Sequence, residues 1–299
     1  MTTLDDELLE AVERLEIVAR RAVDDELAGQ YQSVFKGRGI DFADVREYEP
    51  GDDIRVIDWN VSARMNDLHV KQYVEERQLT VFLLVDASSS QDFASRQASR
   101  AREAGTKRDA AAELSALIAF SAISTGDRVG LVTFTDEVET VLPPESGRKH
   151  VLQMLSEIEA IDGGRRGTDI DAALERVARV ATSRSLIFVV SDFLDEGDDR
   201  GVEGLRARHE LVPVFLTDPM EFDLPDLGVA TFRDPETGER LRVDTSDPAV
   251  AAAYERRRRS ARDRWRERFR RQNIRPLEVS TADDHVEALV DYFRVRGER

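Results

Sequence analysis

The chain has 299 residues, 41% of them hydrophobic, which is enough for one large α/β domain with additions or for two domains. Its 60 acidic against 43 basic residues give a formal net charge of −17, which disfavours nonspecific binding of nucleic acid by the surface as a whole. The absence of cysteine excludes disulfides and thiolate metal sites, and the acidic N-terminus and lack of any apolar run near the ~20 residues of a membrane span lead to the expectation of a cytoplasmic protein with no membrane segment.

Residues 4 to 28 carry Leu4, Leu8, Leu9, Val12, Leu15 and Val18 at helical spacing and predict an amphipathic helix. From 36 to 78 the texture changes to turns, such as Pro50-Gly51-Asp52-Asp53, and short alternating strands, such as His69 to Val74. An α/β rhythm follows. Its strands are predicted at 79–86, 128–134 with a hairpin partner at 138–142, 185–191 and 210–216, and its helices near 105–125, 147–160, 169–182 and 199–208. Turns at Pro219, Pro225 and Asp234-Pro235-Glu236-Thr237-Gly238, the last flanked by a hairpin, precede a long helix at 248–272, a strand at 274–279 and a helix at 283–295. The predicted fold is a doubly wound, mostly parallel sheet. The expected divisions are an N-terminal helix and β/loop segment at 1–78, a core at 79–218, an insertion at 219–273, and a final βα unit at 274–299.

The run Leu79 to Val85 reads as a strand buried on both faces, and it delivers Asp86-Ala87-Ser88-Ser89-Ser90 to the strand's carboxyl end, where open α/β sheets bind ligands. One carboxylate and two hydroxyls are hard oxygen donors, suited to Mg²⁺, Mn²⁺ or Ca²⁺ rather than zinc. Further donors are Thr168, where the Gly163-Gly164-Arg165-Arg166-Gly167 loop meets a helix, and Asp192, which ends the buried run Leu186 to Ser191. Each has a plainer alternative. Asp-x-Ser-x-Ser and Thr168 are good helix N-caps, and Asp192 suits a turn. Together, Asp86, Ser88, Ser90, Thr168 and Asp192 resemble the metal-ion-dependent adhesion site of von Willebrand factor A domains. That resemblance implies Mg²⁺ ligated by the hydroxyls, with the aspartates acting directly or through water, and one position open for a partner's carboxylate.

The strings Gly37-Arg38-Gly39-Ile40-Asp41-Phe42, Arg46 to Arg55, Ile57-Asp58-Trp59-Asn60, Ala63-Arg64 and Glu75-Glu76 resemble the family called domain of unknown function 58, whose members carry a von Willebrand factor A-like domain directly after this motif. The resemblance implies a non-enzymatic protein-binding adaptor. Its partners would be a MoxR-type AAA+ ATPase and a carboxylate-bearing client. Two departures stand out: Gln91 replaces a frequent methionine, with packing expected to feel it more than ligation, and the membrane helices of many relatives are absent. The arginines Arg38, Arg46, Arg55 and Arg64 alternate with carboxylates and fit either a salt-bridged clamp or a partner surface.

Two other functions compete. The helix at 248–272 holds Arg256 to Arg259 in a row and could neutralise phosphates, although Tyr254, Trp265, Phe269 and interspersed acids favour an amphipathic surface helix docking to acidic protein. A metal-dependent phosphatase with Asp86 as nucleophile would need a carboxylate where Ser88 stands. No P-loop, zinc-protease or Gly-x-Ser-x-Gly motif occurs, and His69, His150, His209 and His285 are scattered. Lysine is confined to Lys36, Lys71, Lys107 and Lys149, and such acidic, arginine-for-lysine usage is similar to proteins of salt-loving archaea or to acidic proteins of GC-rich genomes.

Overall fold

The computed structural model describes residues 4–35, 44–49, 52, 54, 57–65, 67–72, 78–92, 105–161, 167–195, 197, 199–222, 224–233 and 239–297. The N-terminal helix runs further than its apolar spacing predicts: α1 (Leu4–Ala22) continues through a π-helical turn (Val23–Leu27) into α2 (Ala28–Phe35). Val12, Leu15, Ala19, Leu27 and Tyr31 face the core, while Leu9 lies in solvent. The Tyr31 hydroxyl donates to Asp127 Oδ2 (3.2 Å), which ties α2 to the amino-terminal end of the sheet. A small layer follows, with β1 (Asp44–Glu47) antiparallel to β2 (His69–Gln72) and α3 (Trp59–Met65) between them, a helix that the turn-rich sequence did not suggest. Asp58 caps α3, its Oδ1 accepting from the Val61 N–H (3.2 Å). Of the arginine string, Arg38, Arg55 and the side chain of Arg46 fall outside the described residues, as do Glu75 and Glu76; Arg64 is exposed on α3.

The central sheet contains β3 (Thr80–Asp86), β4 (Arg128–Phe134), β5 (Val138–Glu145), β6 (Leu186–Ser191), β7 (Glu210–Thr217) and, after the peripheral hairpin β8 (Val229–Arg233) and β9 (Arg240–Asp244), β10 (Leu277–Ser280). Its order is β10-β7-β6-β3-β4-β5, parallel throughout except for the edge strand β5. All seven residues of β3 are buried. Alternation sends Val81, Leu83 and Val85 into one core and Phe82 and Leu84 into the other, and each such burial contributes about 1.5–3 kcal/mol.

The first core is roofed by α1, α2, α4 (Lys107–Ser124), α5 (Arg148–Glu159) and α9 (His285–Gly297), the second by α6 (Ile170–Val180), α7 (Asp199–Arg206) and α8 (Pro248–Arg271). The arginine-rich α8 is the crossover helix between β7 and β10. It buries Trp265 and Phe269 in the second core, stacked on each other at 5.5 Å and beside Phe193 and Phe215. What the sequence marks as an insertion thus supplies part of the central packing, and β8–β9 is the piece that stands apart from the main sheet.

The chain leaves β3 toward α4 on one face and leaves β6 toward α7 on the other. These neighbouring strands therefore send their connections in opposite directions, which opens a crevice at their carboxyl ends. Asp86 and Asp192 stand at the two lips of that crevice.

Candidate functional site

Asp86 ends β3, and Ser88 begins the tight loop that enters a 3-10 turn (Ser89–Asp92). The loop folds back on the carboxylate. Asp86 Oδ1 accepts from the Ser88 N–H (2.9 Å), and Oδ2 accepts from the Ser191 hydroxyl (2.6 Å) and from Gln91 Nε2 (3.3 Å). Ser88 Oγ and Ser90 Oγ lie 3.0 Å apart, and Gln91 Nε2 also reaches Ser90 Oγ (3.4 Å). Gln91 is fully buried and bonded to two of the expected ligand residues, so its side chain is part of the polar site itself.

Asp192 follows β6 and is nearly completely buried. Its Oδ2 accepts from Lys107 Nζ at 2.5 Å, whereas its Oδ1 is buried with no hydrogen-bond partner among the described residues. The turn beyond it is held by packing. Phe193 takes a left-handed conformation (φ 52°), which costs a non-glycine residue about 1–3 kcal/mol, and its ring is locked among Phe215, Trp265 and Phe269. The Phe193 N–H donates to Ser191 Oγ (3.1 Å), so the same hydroxyl that bonds Asp86 fixes the chain after Asp192.

Lys107, the first residue of α4, is the group the sequence reading missed. Its ammonium is fully buried and donates to both Asp192 Oδ2 and Glu221 Oε1 (2.6 Å). Burial alone would lower its pKa, but Asp192 and then Glu221 outweigh that and hold it above the ordinary lysine value. Glu221 comes from the 3-10 turn after β7 and accepts with Oε2 from the Asp218 N–H (3.2 Å). Asp218 in turn accepts from Thr281 Oγ1 (2.9 Å), so the polar network spans the ends of β3, β6, β7 and β10. The available signal was a rare lysine at the head of an alanine-rich apolar helix, just after the capping Thr106.

Thr168 is half-buried at the entrance to α6, and among the described residues no hydrogen bond joins it to the Asp86 group. The cap of α6 is its neighbour Asp169, whose Oδ1 accepts from the Ala172 N–H (2.9 Å). The Asp169 N–H donates to Thr135 O (2.8 Å), just past β4, which brings this loop to the same edge of the sheet. The preceding residues 162–166 lie outside the described residues.

The carboxylates feel one another. Burial, reinforced by the charge of Asp192, pushes the Asp86 pKa up to about 6 against the hydrogen bonds from Ser191 and Ser88. Asp195 is pushed up to about 7, by burial first and then by Asp171, Asp86 and Asp192, while the Ile170 N–H works the other way. A carboxyl with a raised folded-state pKa binds its proton more tightly folded than unfolded, so its contribution to stability is full at low pH and falls as pH rises. Asp195→Asn is therefore expected to melt with the wild type below pH 4 and to gain on it between pH 5 and 8, by on the order of 5 °C at pH 8. Melting curves in chelator across that range check this; a variant that tracks the wild type at every pH would refute it.

The donor set suits a small hard cation. The 3.0 Å separation of the two serine oxygens matches the ~2.9 Å edge of an octahedron with 2.0–2.1 Å metal–oxygen bonds. Asp192 Oδ1 is the orphan acceptor such an ion would satisfy. Among the described residues no group of three or more His, Cys, Asp or Glu forms a metal cluster; the oxygens here are carboxylate and hydroxyl in mixture.

The α8 arginines are largely engaged within the chain. Arg262 and Arg266 pair with Glu278, Arg259 with Glu255, and Arg270 and Arg271 with Glu267, while Arg258 lies over Tyr254 and Arg268 over Trp265. Arg258 is also within electrostatic reach of Glu221 and Asp192, so this helix borders the site. Such pairing counts against a phosphate-binding stripe. Among the described residues, no helix is long and apolar enough to cross a membrane.

A doubly wound sheet with an Asp-x-Ser-x-Ser loop at its switch point has the layout of von Willebrand factor A domains. The chain belongs to the family described as Protein of unknown function DUF58, which it matches over residues 44–264. It is 32% identical over 250 residues to the uncharacterized protein Rv1480 of Mycobacterium tuberculosis, a match covering 82% of this chain and 76% of that protein. It is 30% identical over 113 residues to the uncharacterized protein YeaD of Bacillus subtilis, covering 38% and 24%. Among solved structures it is similar to BatB of Bacteroides thetaiotaomicron (14% identity, 74% of this chain and 100% of that chain, TM-score 0.44) and to the SpRpn10 VWA domain (11%, 72%, 95%, 0.41). These sequence relatives are bacterial, so the salt-loving archaeal reading of the composition draws no support from them.

Proposed function

We propose that this protein is a metal-dependent binding adaptor that docks partner proteins through a cation held at the crevice between β3 and β6. The observation that carries the reading is Asp192 Oδ1, a buried acceptor with no partner among the described residues, at the end of the strand paired with β3, whose loop carries a serine hydroxyl pair at octahedral spacing. Ser88, Ser90 and Asp192 would hold the ion directly and Thr168 would complete the set, while Asp86, with both oxygens already accepting, would act from behind. Mg²⁺ bound there supplies a Lewis-acidic attachment point with a coordination position for a partner's Asp or Glu. The energy for remodelling the bound complex would come from a MoxR-type AAA+ ATPase, a partner that the family resemblance supports.

Calorimetric titration with Mg²⁺ and Mn²⁺ tests the site. The wild type is expected to bind one ion, and Asp86→Ala to bind at least about tenfold more weakly, because the carboxylate that orients the serine loop is gone. A wild type that binds neither ion would sink the reading.

A further inference from the structure

We propose that Lys107 sets the metal specificity of this site: by occupying one oxygen of Asp192 it confines that carboxylate to single-oxygen ligation and makes the site choose Mg²⁺ over Ca²⁺. The inference rests on the metal-binding reading above and adds a role for a residue that touches no ion.

The argument starts from the oxygens. Of the four belonging to Asp86 and Asp192, three already accept hydrogen bonds: Asp86 Oδ1 from the Ser88 N–H, Asp86 Oδ2 from Ser191 and Gln91, and Asp192 Oδ2 from Lys107. Asp192 Oδ1 alone does not. A carboxylate must turn both oxygens toward one ion to chelate, and here the donors on Asp86 and the ammonium on Asp192 Oδ2 compete with an ion for those directions. Ca²⁺ takes six to eight oxygens and gains from bidentate carboxylates, whereas Mg²⁺ is content with six, one or two of them carboxylate and several of them water. Removing bidentate ligation therefore costs Ca²⁺ more than Mg²⁺.

Lys107 is built to stay where it is. The start of α4 is fixed by a capping box, in which Thr106 Oγ1 accepts from the Asp109 N–H and Asp109 Oδ2 accepts from the Thr106 N–H. A cation at a helix N-terminus opposes the macrodipole, and a buried one also loses its hydration, so Lys107 holds this place only because Asp192 and Glu221 both receive it. Glu221 is braced in turn by the Asp218 N–H, which fixes the second carboxylate that receives the ammonium. That the ammonium also takes an oxygen of the metal-site carboxylate is what gives it a role in ligation.

The test is calorimetric titration of the full chain with MgCl₂ and with CaCl₂. Lys107→Met alone would strand two buried carboxylates, so the working variant is Lys107→Met/Glu221→Gln, which removes one positive and one negative charge together. The wild type is expected to prefer Mg²⁺, and the double variant to lose at least about tenfold of that preference, chiefly by binding Ca²⁺ more tightly. Glu221→Gln, which leaves Lys107 on Asp192, is expected to keep the wild-type preference. An unchanged preference in the double variant would overturn the role of Lys107 and leave the metal site standing. The same loss in Glu221→Gln would also overturn it, and a wild type that binds neither ion would overturn both readings, leaving the ammonium as the permanent counter-charge of the crevice.

Discussion

Lys107→Met is expected to lower the stability of the metal-free protein by about 3–5 kcal/mol, a fall in Tm on the order of 10 °C. The methionine fills the stem's volume, so the loss comes from charge rather than packing. Asp192 and Glu221 would remain buried without the ammonium that bonds them both, leaving only the more distant charge of Arg258, and removing one partner of a buried pair leaves the other's desolvation uncompensated. Because Asp192 and Glu221 hold the Lys107 pKa above its ordinary 10.5, this contribution is complete at neutral pH and is lost only as pH rises through the folded-state value. Adding Glu221→Gln removes one of the stranded charges and is expected to recover a large part of the fall, so a double-mutant cycle should show coupling well above 1 kcal/mol. Equal melting of Lys107→Met and wild type in chelator would mean that the ammonium and carboxylates are not packed as described.

Trp265→Ala should cost about as much, 3–5 kcal/mol, by a different route. The indole is almost entirely buried, stacks on Phe269, meets the edge of Phe193 at 5.2 Å, and donates from Nε1 to Asp195 O (3.0 Å). Gly197 lies against it so closely that an added Cβ would sit 2.3 Å from the ring, and its φ of +34° also favours glycine. Truncation opens a cavity beneath the strained Phe193 and so loosens the turn that carries Asp192. The variant is accordingly expected to lose metal affinity as well as stability, whereas a surface change on the same helix, Arg264→Ala, should do neither. Chemical denaturation gives the first quantity and Mg²⁺ calorimetry the second. A Trp265→Ala protein within 1 kcal/mol of wild type would show that α8 merely rests on the sheet.

Both expectations turn on residues that chain-order reading treats poorly. The buried strands were legible because branched and aromatic runs such as Thr80 to Val85 and Leu186 to Val190 leave no polar face, and a strand without one must lie inside a sheet. Strand ends then located Asp86 and Asp192. The boundary of α6 was read nearly to the residue, yet its cap is Asp169 rather than Thr168, because two adjacent residues that can both cap differ only in which backbone N–H they face. The helix α3 escaped notice because seven residues containing both Trp59 and Asn60 show too little periodicity to be told from a turn.

By itself the sequence determined what depends on local order: the α/β alternation, the family motif, and the Asp-Ser-Ser loop after a buried strand. The tertiary structure alone decided what depends on elements distant in the chain. It brought Lys107 and Glu221 to Asp192 across 85 and 114 residue positions, joined Ser191 to Asp86, and set an arginine-rich helix into the core by two aromatic side chains. A salt bridge or hydrogen bond between distant residues leaves no spacing in the sequence, because its partners become neighbours only when the sheet brings their strand ends together.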